Sequence, residues 1–247
     1  MGPSLFKSLK WIFYLSLAAW FALWLRKDTF PEPEFYDVSR LNDPAQSATG
    51  TRPFTAQAGG QTYQIAPVFD YDLEGIVVSY HNADSFFDIW HHQDWKDFLN
   101  VRDLCVVWGD NVRGGVYREL RFDHDDWTCW VHWDNPEVGE RFAMRELSNN
   151  HLLSDQPRIL RAIMSAEPGD HVHFSGTLAS YANTGNGFQR GTSTVRDDTG
   201  NGACETVFVR DFEIVKKANQ NLRAAYSIFK WLAIGSAVLL LVLACIV

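Results

Sequence analysis

The run Arg190-Gly191-Thr192-Ser193-Thr194-Val195-Arg196 sets two guanidinium groups around a stretch of hydroxyls, and Cys204 and Glu205 follow a short Asp/Gly/Asn-rich link. Two chemistries fit these residue types. The glycines can shape a backbone nest for an anion, with Arg190 and Arg196 as clamps, and Cys204 can act as a nucleophile. A thiol attacks only as thiolate, so it needs a lowered pKa and a base. No neighbouring histidine supplies either, which leaves His151 or His173 to be brought in by the fold. The plainer expectation is a β-hairpin whose Gly200-Asn201-Gly202 tip accepts positive φ. Arg190, Thr192, Ser193, Arg196 and Cys204, with Trp130 and Trp133, make up the candidate binding surface.

His171 and His173 are two residues apart on a strand-like run and so share a face, a spacing that suits a metal. Two further ligands are needed, and Asp123, His124, Asp125 and Asp126 are the nearest reservoir. Their convergence is not encoded locally, so these histidines are expected to be hydrogen-bonded or solvated, and no metal or other cofactor is expected. Asp123 to Asp126 also lacks the glycine at the sixth place of a calcium loop, where Thr128 stands. An acidic hairpin turn is the expectation there. Trp90, Trp95, Trp127, Trp130 and Trp133 are expected to build a tryptophan-rich core, the alternative being an exposed stacking surface for sugars or peptides.

The elements that must position these groups are mostly short β-type runs separated by turn chemistry: 61–66, 73–80, 104–108, 116–122, 127–133, 171–181, 187–195 and 205–215. Residues 153–166 predict an amphipathic helix, with Ser154 or Asp155 as cap and Pro157 in the first turn. A second short helix is expected over 86–98, whereas Trp108-Gly109-Asp110-Asn111 and Asn149-Asn150-His151 read as turns. After the Pro168-Gly169-Asp170 turn, the run His171 to Tyr181 carries a central Gly176, and a mid-strand glycine marks a bend or bulge. That pattern is similar to the first long strand of oligonucleotide/oligosaccharide-binding (OB) barrels. The fold class expected is therefore mainly β (α+β): a small barrel-like, OB-like soluble domain over 61–217 with one or two helices.

Apolar blocks flank this domain. Residues 5–27 and 226–247 are expected to be transmembrane helices, with 28–60, rich in Pro, Asp, Ser, Thr and Gly, as a tether. All 30 acidic residues lie between 28 and 225, whereas five of the 22 Lys and Arg lie outside, so the middle is strongly acidic. Such a surface repels phosphate backbones, which excludes nucleic acid as a partner. Lys7 and Lys10, ahead of the apolar run Trp11 to Leu25, favour export of the acidic domain, whereas Arg26, Lys27, Arg223 and Lys230, on the domain side of that run and of Trp231 to Val247, argue for the opposite orientation. The periplasm is the compartment expected. None of the four cysteines forms a C-x-x-C pair. In an exported domain Cys105 and Cys129 are the first pair to test for a disulfide; three buried thiols are the alternative.

Asp103-Leu104-Cys105-Val106-Val107-Trp108-Gly109-Asp110-Asn111, Trp127-Thr128-Cys129, Leu147 to Leu153, Arg190 to Thr194 and Gly200 to Glu205 together resemble a group of uncharacterised bacterial inner-membrane proteins with a span at each end. The resemblance implies a source and an architecture, and no activity. The expectation is a non-enzymatic binding module, two-pass in the inner membrane, whose partners are the lipid bilayer and another membrane or envelope protein. The rivals are an enzyme built on Cys204, Arg190, Arg196 and a histidine, and a metal-dependent sensor. Alkaline carbonate washing of membranes is expected to leave the intact chain in the pellet on immunoblots; release into the supernatant would exclude a bilayer-spanning anchor.

Overall fold

The computed structural model describes residues 3–198 and 203–246. They divide into two compact units, Met1–Thr29 with Asn219–Val247 and, separately, Phe30–Ala218. The first unit is a helix pair, α1 (Pro3–Trp24) and α5 (Gln220–Ile246). Trp20 of α1 meets Tyr226 of α5 with ring centroids 6.2 Å apart. Small side chains at Ser16, Ala233 and Ser236 are buried, as expected where helices approach closely. Asn219 Nδ2 donates to the carbonyls of Lys27 and Thr29, tying the two chain segments together.

Among the described residues one helix, Gln220–Cys245, is long and apolar enough to cross a bilayer, with a mean hydropathy of 2.3. The expected first span, 5–27, is helical only as far as Trp24, and that helix, α1, of 22 residues, falls short of that measure. Lys7 and Lys10, together with Trp11, Tyr14, Trp20 and Trp24, whose rings carry polar groups, lower its mean hydropathy.

The second unit is built on a large mixed sheet. Its strands are β1 (Ala45–Ala48), β2 (Phe54–Ala58), β3 (Gln61–Asn82), β4 (Asn100–Val107), β7 (Leu147–Leu153), β8 (His171–Asn183), β9 (Gln189–Arg190) and β10 (Glu205–Lys216). β5 (Arg121–His124) and β6 (Cys129–His132) form a separate hairpin. The short helices are α2 (Gly109–Arg113), α3 (Pro136–Arg141) and α4 (Pro157–Met164). β3 pairs antiparallel with both β4 and β8; β4 pairs with β7, β7 runs parallel to β10, and β10 returns antiparallel to β8. The pairings therefore form a ring, β3-β4-β7-β10-β8-β3, with α4 connecting β7 to β8.

Several expectations change here. Residues 28–60 are not a tether: Tyr36 and Leu41 are buried in the core, and β1 and β2 both pair with β3. The strands expected at 61–66 and 73–80 are one strand. Pro67 and Asp70 look like strand breakers, but Pro67 sits at a register shift in the β3–β8 ladder, where a missing donor costs little. Val116–Glu119 is a 3-10 turn, and only Arg121 onward is strand. The 187–195 run keeps two strand residues, Gln189 and Arg190. Asn149-Asn150-His151 is not a turn but the centre of β7, tolerated there because Asn150 Nδ2 donates to the Leu104 and Ser148 carbonyls. Over 86–98 the helical content is a π-helical turn, Trp90–Asp94. The expected Gly200-Asn201-Gly202 tip lies outside the described residues.

The main core packs Trp108, Tyr117, Phe174 and Val209 with Ile159 and Ile163 from α4. Arg102 is buried beneath it without breaking the rule that buried charges are satisfied. Its Nη1 donates to the Ile163 and Ala166 carbonyls at the end of α4, its Nε to Asn82, and its guanidinium lies 4.1 Å from the Tyr80 ring centroid. The Cys105–Cys129 disulfide, with Cα atoms 5.9 Å apart, fastens the β5–β6 hairpin to β4.

Gly176 is the mid-strand glycine that marked β8 in the sequence. A Cβ there would lie 2.1 Å from the Phe208 carbonyl oxygen, beside the register shift between Val209 and Asp211 in β10. Gly176→Ala is expected to cost about 3 kcal/mol in a urea melt of the full chain in detergent, because backbone rather than a side chain must give way. A loss under ~0.5 kcal/mol would show that the strands are not so close.

Candidate functional site

Three chain segments converge where β3 and β8 end: residues 83–99, residues 184–198, and the β5–β6 hairpin. A second apolar cluster supports them from beneath, including Tyr63, Leu99, Leu153, Tyr181 and Phe208. The 83–99 segment is shaped by Asp88, whose Oδ1 accepts from the backbone N–H of Trp90 and of His91, each at 2.9 Å. Trp95 N–H then bonds back to the Trp90 carbonyl at 2.9 Å, the i→i−5 closure of a π-helical turn. Lys96 follows with φ +53, a left-handed conformation uncommon outside glycine.

This geometry gathers a buried polar network. His81 Nε2 and His91 Nδ1 both reach Asp88 Oδ2, at 2.8 and 2.6 Å. Arg190 Nη2 lies 3.3 Å from His91 Nε2, and its Nη1 is sealed from solvent without a hydrogen-bond partner. Deeper in, His151 Nδ1 lies 2.7 Å from Asp103 Oδ1, which also accepts from Asn100 Nδ2 at 2.9 Å. The Tyr181 hydroxyl donates to Asp97.

Burial works against every charge here, and partners decide which survive. Burial favours protonation of Asp88, but hydrogen bonds from His81 and His91 outweigh it and hold the carboxyl below its ordinary range. For Asp103 burial is likewise overcome by His151 and Arg190, so it stays ionised. His151 is pushed down by burial despite Asp103, and burial takes His124 to about 4, so both rings are neutral at neutral pH.

Aromatic side chains cover this network. Trp95 packs on Trp127 with centroids 4.7 Å apart and stacks on Phe188 at 4.9 Å, with Trp90 6.1 Å from Trp127. The expected tryptophan core is overturned: Trp108 is buried, whereas Trp90, Trp127, Trp130 and Trp133 are exposed at the surface. Phe86 and Phe87 are more exposed still, at 86% and 84%. Beside the cluster runs an open groove of about 490 Å³, lined by Gln64, Ser180, Tyr181, Gln189, Arg190 and Gly191 among others.

The sequence-derived residues are only partly brought together. Arg190 enters the network, but Arg196 turns away to pair with Glu205, so the two do not clamp one anion. Burial lifts the Glu205 carboxyl to about 7 despite that partner. Thr192 Oγ1 accepts from Thr206 N–H, and Ser193 Oγ bonds to the Val195 carbonyl and Asp198, so these hydroxyls shape the loop. His171 and His173 serve separate carboxylates, Glu74 at 2.9 Å and Asp72 at 3.0 Å. Asp125 Oδ1 accepts from Trp127 and Thr128 N–H, which makes Asp123 to Asp126 the expected hairpin turn. Trp130 is exposed, with its indole N–H donating to Asp125 Oδ2.

Cys204 does not sit as a nucleophile would. Asn149 Nδ2 approaches its sulfur at 3.5 Å and the Trp127 carbonyl lies 3.9 Å away; burial pushes the thiol up to about 11. Asp88, Asp97, Asp103 and Tyr181 were missed from sequence. The Asp88-x-x-His91 spacing was a visible signal, whereas contact with Arg190, 99 residues on, was not.

No protein-family profile matches the chain, and neither a curated protein nor a solved structure is significantly similar to it.

The thiol's upward displacement sets a pH dependence. In a Cys245→Ser background without reductant, Cys204 is the one free cysteine. Its alkylation by iodoacetamide at pH 8 should run roughly 100-fold slower than that of a free cysteine peptide, because so little thiolate is present, and should rise with pH towards about 11. A rate at pH 8 equal to the peptide's would restore Cys204 as a nucleophile.

Proposed function

We propose that this chain is a membrane-anchored binding module: an OB-type barrel carried on a two-helix anchor, two-pass in a bacterial inner membrane, that holds a partner protein of the envelope through its exposed aromatic end. The ring of five strands with one parallel pair, and a helix between β7 and β8, supports the barrel reading. In OB barrels the loop after the first strand and the loop before the last form the ligand-binding end. Here the described residues of those loops are 83–99 and 184–198.

The observation that carries the reading is the junction of these loops. Trp95 stacks on Phe188, Asn186 donates to the Trp95 carbonyl, and Phe86, Phe87, Trp90 and Trp130 stay exposed. Large apolar side chains concentrated on one end of a folded unit mark an interaction surface. Acidic residues around them, Asp84, Asp94 and Asp126, suit a partner with basic groups and not a nucleic acid. The disulfide supports an oxidising compartment, which is the periplasmic side. The raised Cys204 thiol speaks against the enzyme reading.

Photocrosslinking from a benzoylphenylalanine placed at Phe86 or Trp130 in living cells is expected to trap one discrete protein partner, and the same probe at Glu213 is not. Equal labelling from all three positions, or none from the aromatic end, would refute the reading.

A further inference from the structure

We propose that His81, Asp88 and His91 form a binding site for one divalent first-row transition cation of the zinc class, which fastens the 83–99 segment to the end of β3. The three donor atoms, His81 Nε2, Asp88 Oδ2 and His91 Nδ1, lie within 4.8 Å of one another, and Asp88 and His91 are buried. Two imidazoles and one carboxylate are a donor set that zinc accepts, with a fourth position for another ligand or water. Asp126 Oδ1 lies 3.8 Å from His81 Nε2, and a water can complete the fourth position.

The carboxylate is already oriented for the task. Asp88 Oδ1 is held by two backbone N–H groups, which leaves Oδ2 directed at both rings. Outer contacts of this kind fix metal-binding carboxylates in place. The site also lies where it can shape the proposed binding end: Phe86 and Phe87 sit between His81 and Asp88 in the chain.

Arg190 gives the site a distinctive coupling. A guanidinium only donates, so next to Arg190 Nη2 the His91 Nε2 must accept and Nδ1 must carry the proton. When a cation takes Nδ1 the proton moves to Nε2, and the donor–acceptor contact with Arg190 is lost. His81 exchanges tautomer in the same way, its proton passing from Nε2 to Nδ1.

The test uses the full-length chain in detergent, stripped with EDTA and dialysed against Zn²⁺. One zinc per chain is expected by elemental analysis, with Co²⁺ giving the intense ligand-field bands of a four-coordinate site. Asp88→Asn and His81→Gln should each weaken binding by more than about 100-fold, beyond the cost of losing an outer-shell partner. His173→Gln, on a histidine paired with Asp72 elsewhere, should change nothing. Arg190→Met should tighten binding about tenfold, because it removes a competing donor and a like charge. Absence of stoichiometric metal, binding indifferent to Asp88→Asn and His81→Gln in folded protein, or weaker binding in Arg190→Met would each overturn the proposal. The photocrosslinking partner is read separately, so either result can fail alone.

Discussion

Continuous pairing of β3 along its 22 residues is the constraint on which the folded unit depends. Backbone N–H and C=O groups that leave water must find partners, and β3 finds them in β1, β2, β4 and β8. Held straight, a strand of that length would run about 70 Å at ~3.3 Å per residue. It must therefore bend, and the register shifts at Pro67/Phe69 and Val77/Ser79 relieve the ladder. Gly75, whose Cβ would meet the Val107 carbonyl at 2.8 Å, allows β4 to come close. Because one strand bends far enough to pair with both β4 and β8, the pairings return on themselves, and the ends of β3 and β8 deliver the 83–99 and 184–198 segments to one place.

That convergence produces a concentration of charge in a dry environment. Asp88, Asp97 and Asp103 are each buried, and an uncompensated buried carboxylate is too costly to persist. Each has a specific partner: His81 and His91 for Asp88, Tyr181 for Asp97, His151 and Asn100 for Asp103. Arg190 enters from the other loop and balances part of the negative charge. Replacing such a network by packed apolar side chains is often neutral or stabilising. Its presence under an exposed aromatic surface therefore fits a role in holding loop geometry better than a role in stability.

The disulfide and the aromatic surface belong to the same design. Cys105–Cys129 closes a loop with a sequence separation of 24 residues, worth about 3 kcal/mol in the chain-entropy account. It secures a two-stranded hairpin, an element marginal by itself. Trp127, on that hairpin, is one wall of the cluster with Trp90 and Trp95. Anchoring the hairpin covalently thus positions one side of the aromatic end, while Asp88 and its histidines position the other.

Local chemistry in the sequence determined the apolar terminal blocks, the acidic hairpin turn, a helix with Pro157 in its first turn, though shorter than the 153–166 expected because Leu153 belongs to β7 and Gln156 takes the cap position, the Gly176 close approach and the Cys105–Cys129 pairing to test. Each depends on neighbours a few residues away or on a residue type with narrow conformational tolerance. Other features lay beyond that reach. Asn149, Asn150 and His151 have the composition of a turn, and only backbone pairing with β4 and β10, with acceptors for the two amide side chains, makes them a strand. Residues 28–60 look like a tether because their few apolar side chains are scattered, yet Tyr36 and Leu41 find a core contributed by distant strands. Arg190 was singled out beside Arg196, but the fold parts them, sending one to His91 and the other to Glu205. Side-chain partners across 99 residues are set by the path of the sheet, so the tertiary structure alone decided the site.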